Sequence, residues 1–164
     1  MWTAPEAHGF KVNFDGATFT DDDTVGLGVV IQNDVGLVMA SLTLKLPMPS
    51  SIIEVEVFAA RRALELALEL GFDNIILEDD SEILLKALKN GGSKLAHYGH
   101  LTSDFFSFIS HFSTLKLSFV RTHYNRLAHS LARRASIPPQ MSFCLEEVPL
   151  DLVFVFLADL NSLP

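Results

Sequence analysis

Cysteine is nearly missing from this chain. Cys144 stands alone among 164 residues, so no internal disulfide is available and a reducing compartment is expected, nucleus or cytoplasm rather than secretion. The opening "MWTAPEAHGFKVNF" lacks the basic-then-apolar layout of a secretory signal. No long hydrophobic run exists either. The longest, "LVFVFLA" from Leu152 to Ala158, falls far short of the roughly 20 residues needed to cross a bilayer, so no membrane association is expected. Positive charge is scarce: 12 Lys and Arg stand against 20 Asp and Glu, a net charge of −8. That excludes binding to polyanions by bulk charge and leaves room only for a local basic face. Repeats and low-complexity stretches are absent too. What is abundant is apolar material, 49% of the chain with 13 Phe, enough for one globular domain with a substantial core.

The periodicity of the chain predicts an α/β order. "FKVNFDGATF" alternates as a strand, with Val12 and Phe14 on one face and Asn13 and Asp15 on the other. "TVGLGVVIQN" and "LVMASLTLKL" read as two more strands, joined by the hairpin signal "NDVG" (Asn33 to Gly36). Short links predict an antiparallel meander. A helix follows from "PSS" to Leu70, with Ser51 and Glu54 at capping-box spacing and Gly71 as its stop. "NIILED" is a short apolar strand between two helices, hence parallel and central. Ser81 caps the helix "EILLKALKN", which ends at Gly91-Gly92. A third helix "HLTSDFFSFISHF", a fifth strand "TLKLSFVRTH" and a fourth helix "NRLAHSLARRAS" complete the order βββαβααβα. The expectation is a five-stranded mixed sheet, its first three strands antiparallel, with helices packed on it. Residues 1–9 form an extended lead-in, 10–137 the domain and 138–164 a C-terminal extension. The extension is expected to pack on the domain or on a partner, with "LEEVPLDLVFVFLADL" as a short strand or an amphipathic segment at the domain edge.

Certain acids are hard to explain structurally. Glu56 shares a helical stripe with Ala60, Ala63 and Ala67, the small-residue face suited to close approach to a sheet. A carboxylate there is costly unless paired or bound to a cation. Asp15 precedes Gly16, where the backbone is free to turn or to approach a ligand closely. Asp80 precedes the Ser81 cap at the carboxyl end of a central strand, where open α/β sheets place their ligands. Taken singly, each has a plainer reading as a turn residue or a helix-start charge. Together they would repel and take up protons unless a hard divalent cation lay between them. Oxygen ligands suit Mg²⁺ or Mn²⁺, and the matching chemistry is phosphodiester hydrolysis by two ions roughly 4 Å apart.

The ordered pieces "KVNFDGA", "GLGVVIQNDVGLVMAS", "EVEVFAARRALELALELGFDNIILEDDSEILLKAL", "GHLTSDF" and "LSFVRTHYNRLAHSLARRA" resemble an RNase H type 1-like domain. The likeness is to the plant and non-LTR retroelement type, the RNase H associated with reverse transcriptases. The resemblance implies an RNase H-like fold. It also implies that Asp15, Glu56 and Asp80 are the first three catalytic, metal-binding acids, with His129 at the fourth position. There "AHSLA" replaces the usual "AD.LA", removing one negative charge while keeping a side chain able to ligate metal. The usual "ESDS" is "EDDS" here, so Asp79 adds an adjacent charge that competes for the ion. His123 lies near the last helix but does not match the mobile catalytic His of bacterial-type enzymes. No basic helix with interleaved aromatics is present to grip a hybrid.

Asn13, Gly16, Asn125 and Arg126 stand beside the candidate acids and are expected to touch nucleic acid. Arg121, Arg126, Arg133 and Arg134, with Lys86, Lys89 and Lys94, form either a modest phosphate-binding face or an ordinary solvated helix surface. His8, His97, His100 and His111 lack metal-ligand spacing. The resemblance implies an endoribonuclease that cuts the RNA strand of RNA·DNA hybrids, a phosphodiester hydrolase using Mg²⁺ or Mn²⁺, with two ions expected. The competing expectation is a catalytically weakened or inactive retroelement-derived module. It would bind nucleic acid, or a protein through the C-terminal segment with Phe143, Phe154 and Phe156. A 3′–5′ exonuclease of the same fold fits the element order less well.

Overall fold

The computed structural model describes residues 3–91 and 99–161. Trp2, Gly92, Lys94 and His97 lie outside the described residues, as do 162–164. Six strands form one sheet: β1 (Phe10–Phe19), β2 (Thr24–Gln32), β3 (Val38–Pro47), β4 (Asn74–Asp79), β5 (Thr114–Phe119) and β6 (Met141–Leu145), ordered β5-β4-β1-β2-β3-β6. β1, β2 and β3 are antiparallel neighbours, β4 lies parallel to β1, and β5 lies parallel to β4. The helices are α1 (Ile52–Glu69), α2 (Glu82–Lys89), α3 (Gly99–Ile109), α4 (Arg126–Arg134) and α5 (Val153–Leu160).

The five-stranded expectation is corrected by β6, which pairs antiparallel with β3 from Ala40↔Leu145 to Leu44↔Met141. The burial pattern explains why this strand is hard to see. Met141, Phe143 and Leu145 are exposed at the sheet edge, while Ser142 and Cys144 are the half-buried residues. Its apolar positions therefore mark the more exposed face, the reverse of the usual strand signal. Beyond β6, a 3₁₀ turn over Leu150–Leu152 leads into α5, in contact with α4.

β2 shows how the two faces are built. Val25, Leu27, Val29 and Ile31 enter the main core with Val12 and Phe14 of β1 and the alanine face of α1. The alternate positions Gly26, Gly28 and Val30 face α4. A Cβ on Gly28 would lie 2.2 Å from the Ala128 carbonyl oxygen and 2.4 Å from the Ala132 nitrogen; one on Gly26 would lie 2.1 Å from the Ala132 carbonyl oxygen. α4 thus rests directly on the β2 backbone. Leu127, Ala128 and Leu131 of α4 join Val30, Val38, Val148 and Leu152 in a second core. Because Gly28 pairs with Asp15 across β1 and β2, the close approach of α4 sets that helix beside Asp15.

Gly28→Ala is therefore expected to destabilise the fold by about 1–3 kcal/mol, the usual cost of overpacking. Urea unfolding measures it, with Gly36→Ala unsuitable as a control because Gly36 has φ 84° and strains any side chain. Unchanged stability would mean that α4 does not sit on β2 as described.

Candidate metal centre

β1 does not turn at Asp15-Gly16 but continues to Phe19. Gly16 serves close packing instead. A Cβ there would lie 2.7 Å from Val55 Cγ1 and 3.5 Å from Glu56 Oε1, so the missing side chain lets the first turns of α1 approach β1 and carries Glu56 toward Asp15. β4 pairs with β1 only as far as Asn13↔Glu78 and ends at Asp79. Its terminal carboxylates therefore open beside Asp15.

The tightest acidic cluster among the described residues is Asp15, Glu56 and Asp79, with one candidate ligand oxygen from each, all within 4.8 Å of one another. Asp79 follows the α1-facing positions of β4, since Ile75 and Leu77 lie in the main core and alternation carries Asp79 to the same face. Asp80, the residue singled out in the sequence, sits one position beyond the strand and is half-buried. It acts on Asp15, Glu56 and Asp79 through its charge. The sequence signal for Asp79 was present in "EDDS", and the end of the strand decides which of the two acids turns inward.

Each carboxylate is held differently. Asp15 accepts from the Gly16 amide through Oδ1 at 2.8 Å, and its Oδ2 lies 2.7 Å from His129 Nδ1. Asp79 Oδ2 accepts from the Ser81 amide at 3.2 Å, and Ser81 Oγ in turn accepts from Leu84 as the cap of α2. Glu56 Oε2 and Asp79 Oδ1 are buried without a hydrogen-bond partner among the described residues. Such orphaned acceptors carry the full desolvation cost of a buried polar atom. Burial and then the Asp79 and Asp15 charges push the Glu56 carboxyl up to about 9. Burial and then Asp80 push Asp79 up to about 7. Asp15 is raised mainly by burial, against the lowering hydrogen bond from His129.

Asn13 and Asn125, expected to touch nucleic acid, are buried at 5% and 1% exposure and turned on each other. Asn13 Nδ2 donates to Glu78 Oε2 at 3.2 Å and to Asn125 Oδ1 at 3.1 Å, while Asn125 Nδ2 donates to the Phe14 carbonyl at 2.9 Å. Glu78 is paired with the buried Lys11 at 3.0 Å. This polar chain ties the start of α4 to the residue before Asp15. Asn125 heads α4 without a side-chain capping bond, and His129 follows one turn later. Gly16 likewise makes room for α1. Arg126 is exposed at the first position of α4, in a cavity it shares with His129.

The raised carboxyls make stability depend on pH. A carboxyl whose folded value lies above its unfolded one stabilises the fold at low pH and loses that contribution as pH rises through the folded value. In a metal chelator the chain is therefore expected to lose stability between about pH 5 and about pH 9 on account of Glu56 and Asp79. Glu56→Gln should flatten this fall. Urea unfolding across that range tests it, and a parallel decline in both proteins would show that Glu56 does not carry the repulsion.

A family profile described as reverse transcriptase-like matches residues 13–135. No curated protein matches the chain. Among solved structures, RNase H1 from the halophilic archaeon Halobacterium salinarum is similar at TM-score 0.71 and 23% identity, over 77% of this chain and 96% of that one. The N-terminal RNase H domain of a Mycobacterium tuberculosis protein is similar at TM-score 0.68 and 20% identity, over 76% and 96%. A compost-derived RNase H1 solved in complex with an RNA/DNA hybrid is similar at TM-score 0.56 and 17% identity, over 78% and 99%. These likenesses establish an RNase H-like α/β fold with a mixed sheet. With its profile match spanning the sheet core and every carboxylate of the cluster, the chain belongs to the reverse transcriptase-like family.

Proposed function

We propose that this chain is a metal-dependent endoribonuclease that hydrolyses the RNA strand of RNA·DNA hybrids, leaving 5′-phosphate and 3′-hydroxyl ends. The observation that carries the reading is the pair of orphaned, buried carboxylate oxygens, Glu56 Oε2 and Asp79 Oδ1, inside a cluster of converging acids. Such a donor set, rich in hard oxygen, fits Mg²⁺ or Mn²⁺. Asp15, Glu56 and Asp79 would hold the metal, with Asp80 and His129 at its margin. When bound, two such ions supply Lewis-acid activation and neutralise charge developing at phosphorus and at the leaving oxygen.

The chain's own residues set the stage for that chemistry. The Gly16 amide and the His129 ring fix both oxygens of Asp15. The Ser81 amide fixes one oxygen of Asp79, and the other is buried with no hydrogen-bond partner among the described residues. With its Nδ1 side turned to Asp15 Oδ2 at 2.7 Å, the His129 ring leaves Nε2 for a ligand or a reacting water. In this reading the catalytic set is Asp15, Glu56, Asp80 and His129, widened by Asp79. Arg126 remains in contact with nucleic acid, and Asn13, Gly16 and Asn125 become positioning residues. An intracellular location follows the same reading. No described helix is long and apolar enough to cross a membrane.

A second reading has one specific observation in its favour. His129 and the Gly16 amide already occupy both oxygens of Asp15, which suits a module that binds without cutting. Phe143 and Phe154, exposed on β6 and α5, would then be its surface for a protein partner.

The purified chain is expected to cut a labelled RNA·DNA hybrid in Mg²⁺ or Mn²⁺, and Asp15→Asn should abolish cutting. Millimolar metal should also raise the melting temperature at pH 8, by the equivalent of about 2.7 kcal/mol at a hundred times Kd, with no rise in Asp15→Asn. Stabilisation by metal without cleavage would favour the binding module. Absence of both effects from a folded sample would rule out the metal centre.

A further inference from the structure

Positive charge is sparse in this molecule, and its pairing is uneven. Arg61, Arg62 and Arg134 are held in ion pairs with Glu65 and Asp104, Glu65 and Glu69, and Asp151. Arg121 and Arg126 take part in no ion pair among the described residues. Both line one cavity of about 540 Å³ together with Thr122, His123, His129 and Ser130. No carboxylate among the described residues lines it. Arg126 also interacts electrostatically with Asp159 of α5, whose carboxyl burial raises and the Arg126 charge lowers; Arg121 has no such neighbour among the ion pairs of the described residues.

The cavity is built on a fixed support. A 3₁₀ turn over Thr122–Tyr124 follows β5 and is closed by Tyr124 N to Arg121 O at 2.8 Å and Asn125 N to Thr122 O at 3.0 Å. The next residue, Asn125, is buried and bonded to Phe14 and Asn13. Arg121 and Arg126 therefore flank a turn that is anchored to β1 beside Asp15. The His123 ring rests on Tyr124, centroids 3.7 Å apart, which gives the cavity a braced wall. His129 belongs to both places: it lines the cavity and lies 2.7 Å from Asp15. An anion in the cavity would thus be one side chain away from the acidic cluster. Guanidinium groups suit such an anion, since their planar fork matches phosphate oxygens.

We infer that this cavity is a phosphate subsite, in which Arg121 and Arg126 hold a backbone phosphate of the nucleic acid against the His129 side of the carboxylates. The assignment rests on the nucleic-acid reading above and names the residues that supply its affinity. It also divides the basic residues around α4. Arg134 is paired with Asp151 and Arg133 lies outside the cavity, so only Arg121 and Arg126 contribute.

The test is binding without cleavage. A short fluorescein-labelled RNA·DNA hybrid is titrated by anisotropy in chelator over a range of salt, using the whole chain, Arg121→Ala/Arg126→Ala, Arg121→Lys/Arg126→Lys and Arg133→Ala. Losing the contact to one phosphate should lower the slope of log K against log salt by about 1. The alanine pair should therefore lose about 1 from the slope, the lysine pair should keep most of it, and Arg133→Ala should keep all of it. An alanine pair that binds like the parent overturns the subsite, and so does a parent that binds no hybrid at low salt. The lysine pair separates loss of charge from loss of fold. Cleavage by Asp15→Asn, measured separately in Mg²⁺, reports on the nuclease reading alone. A parent that binds through Arg121 and Arg126 but never cuts would keep the subsite and remove the nuclease.

Discussion

Buried carboxylates repel one another, and this fold brings Asp15, Glu56 and Asp79 together in spite of it. Two of their oxygens have no hydrogen-bond partner among the described residues. Holding that arrangement requires backbone brought closer than side chains normally permit. Gly16 admits α1, and Gly26 and Gly28 admit α4. The rest of the packing supports these approaches: the alanine stripe of α1 on one face of β1 and β2, and Ala128 and Ala132 of α4 on the other. Hydrophobic burial on both faces offsets the electrostatic cost at one end of the sheet.

The polar network behind the site has the same logic at lower charge. Lys11, Glu78, Asn13 and Asn125 are each buried, and their bonds run from the parallel β1–β4 pair to the start of α4. A buried network of this kind is stabilising only when its members are satisfied. Here it joins the strand that carries Asp15 to the helix that carries His129. The acidic cluster is thereby placed by backbone geometry, and the arginines flanking the β5–α4 turn are carried to its edge.

Much of the fold was legible in the residues. Strand alternation in "TVGLGVVIQN" separates Val25, Leu27, Val29 and Ile31 from Gly26, Gly28 and Val30, and the two sets do enter different cores. Glu56 stood out because it lies on the alanine face of its helix, and that face is buried. β6 was not legible, because an edge strand with one bare face carries its apolar residues outward. Nor was the inward turn of Asn13 and Asn125. An Asn beside an acid reads as a ligand contact until its partners, more than a hundred residues apart in sequence, are known.

The sequence by itself determined the element order from β1 to α4, the glycine and alanine positions that permit close packing, and the presence of acids where a packed face should be apolar. These are local matters, set by periodicity and by side-chain size. Only the tertiary structure decided that Asp79 rather than Asp80 completes the tight cluster, because the choice depends on where β4 stops pairing with β1 and which face its last residue keeps. It also decided that Arg121 and Arg126 share one cavity while Arg134 is neutralised by Asp151. Charges are counted in a sequence, but their pairing is a property of distances that only the folded chain defines.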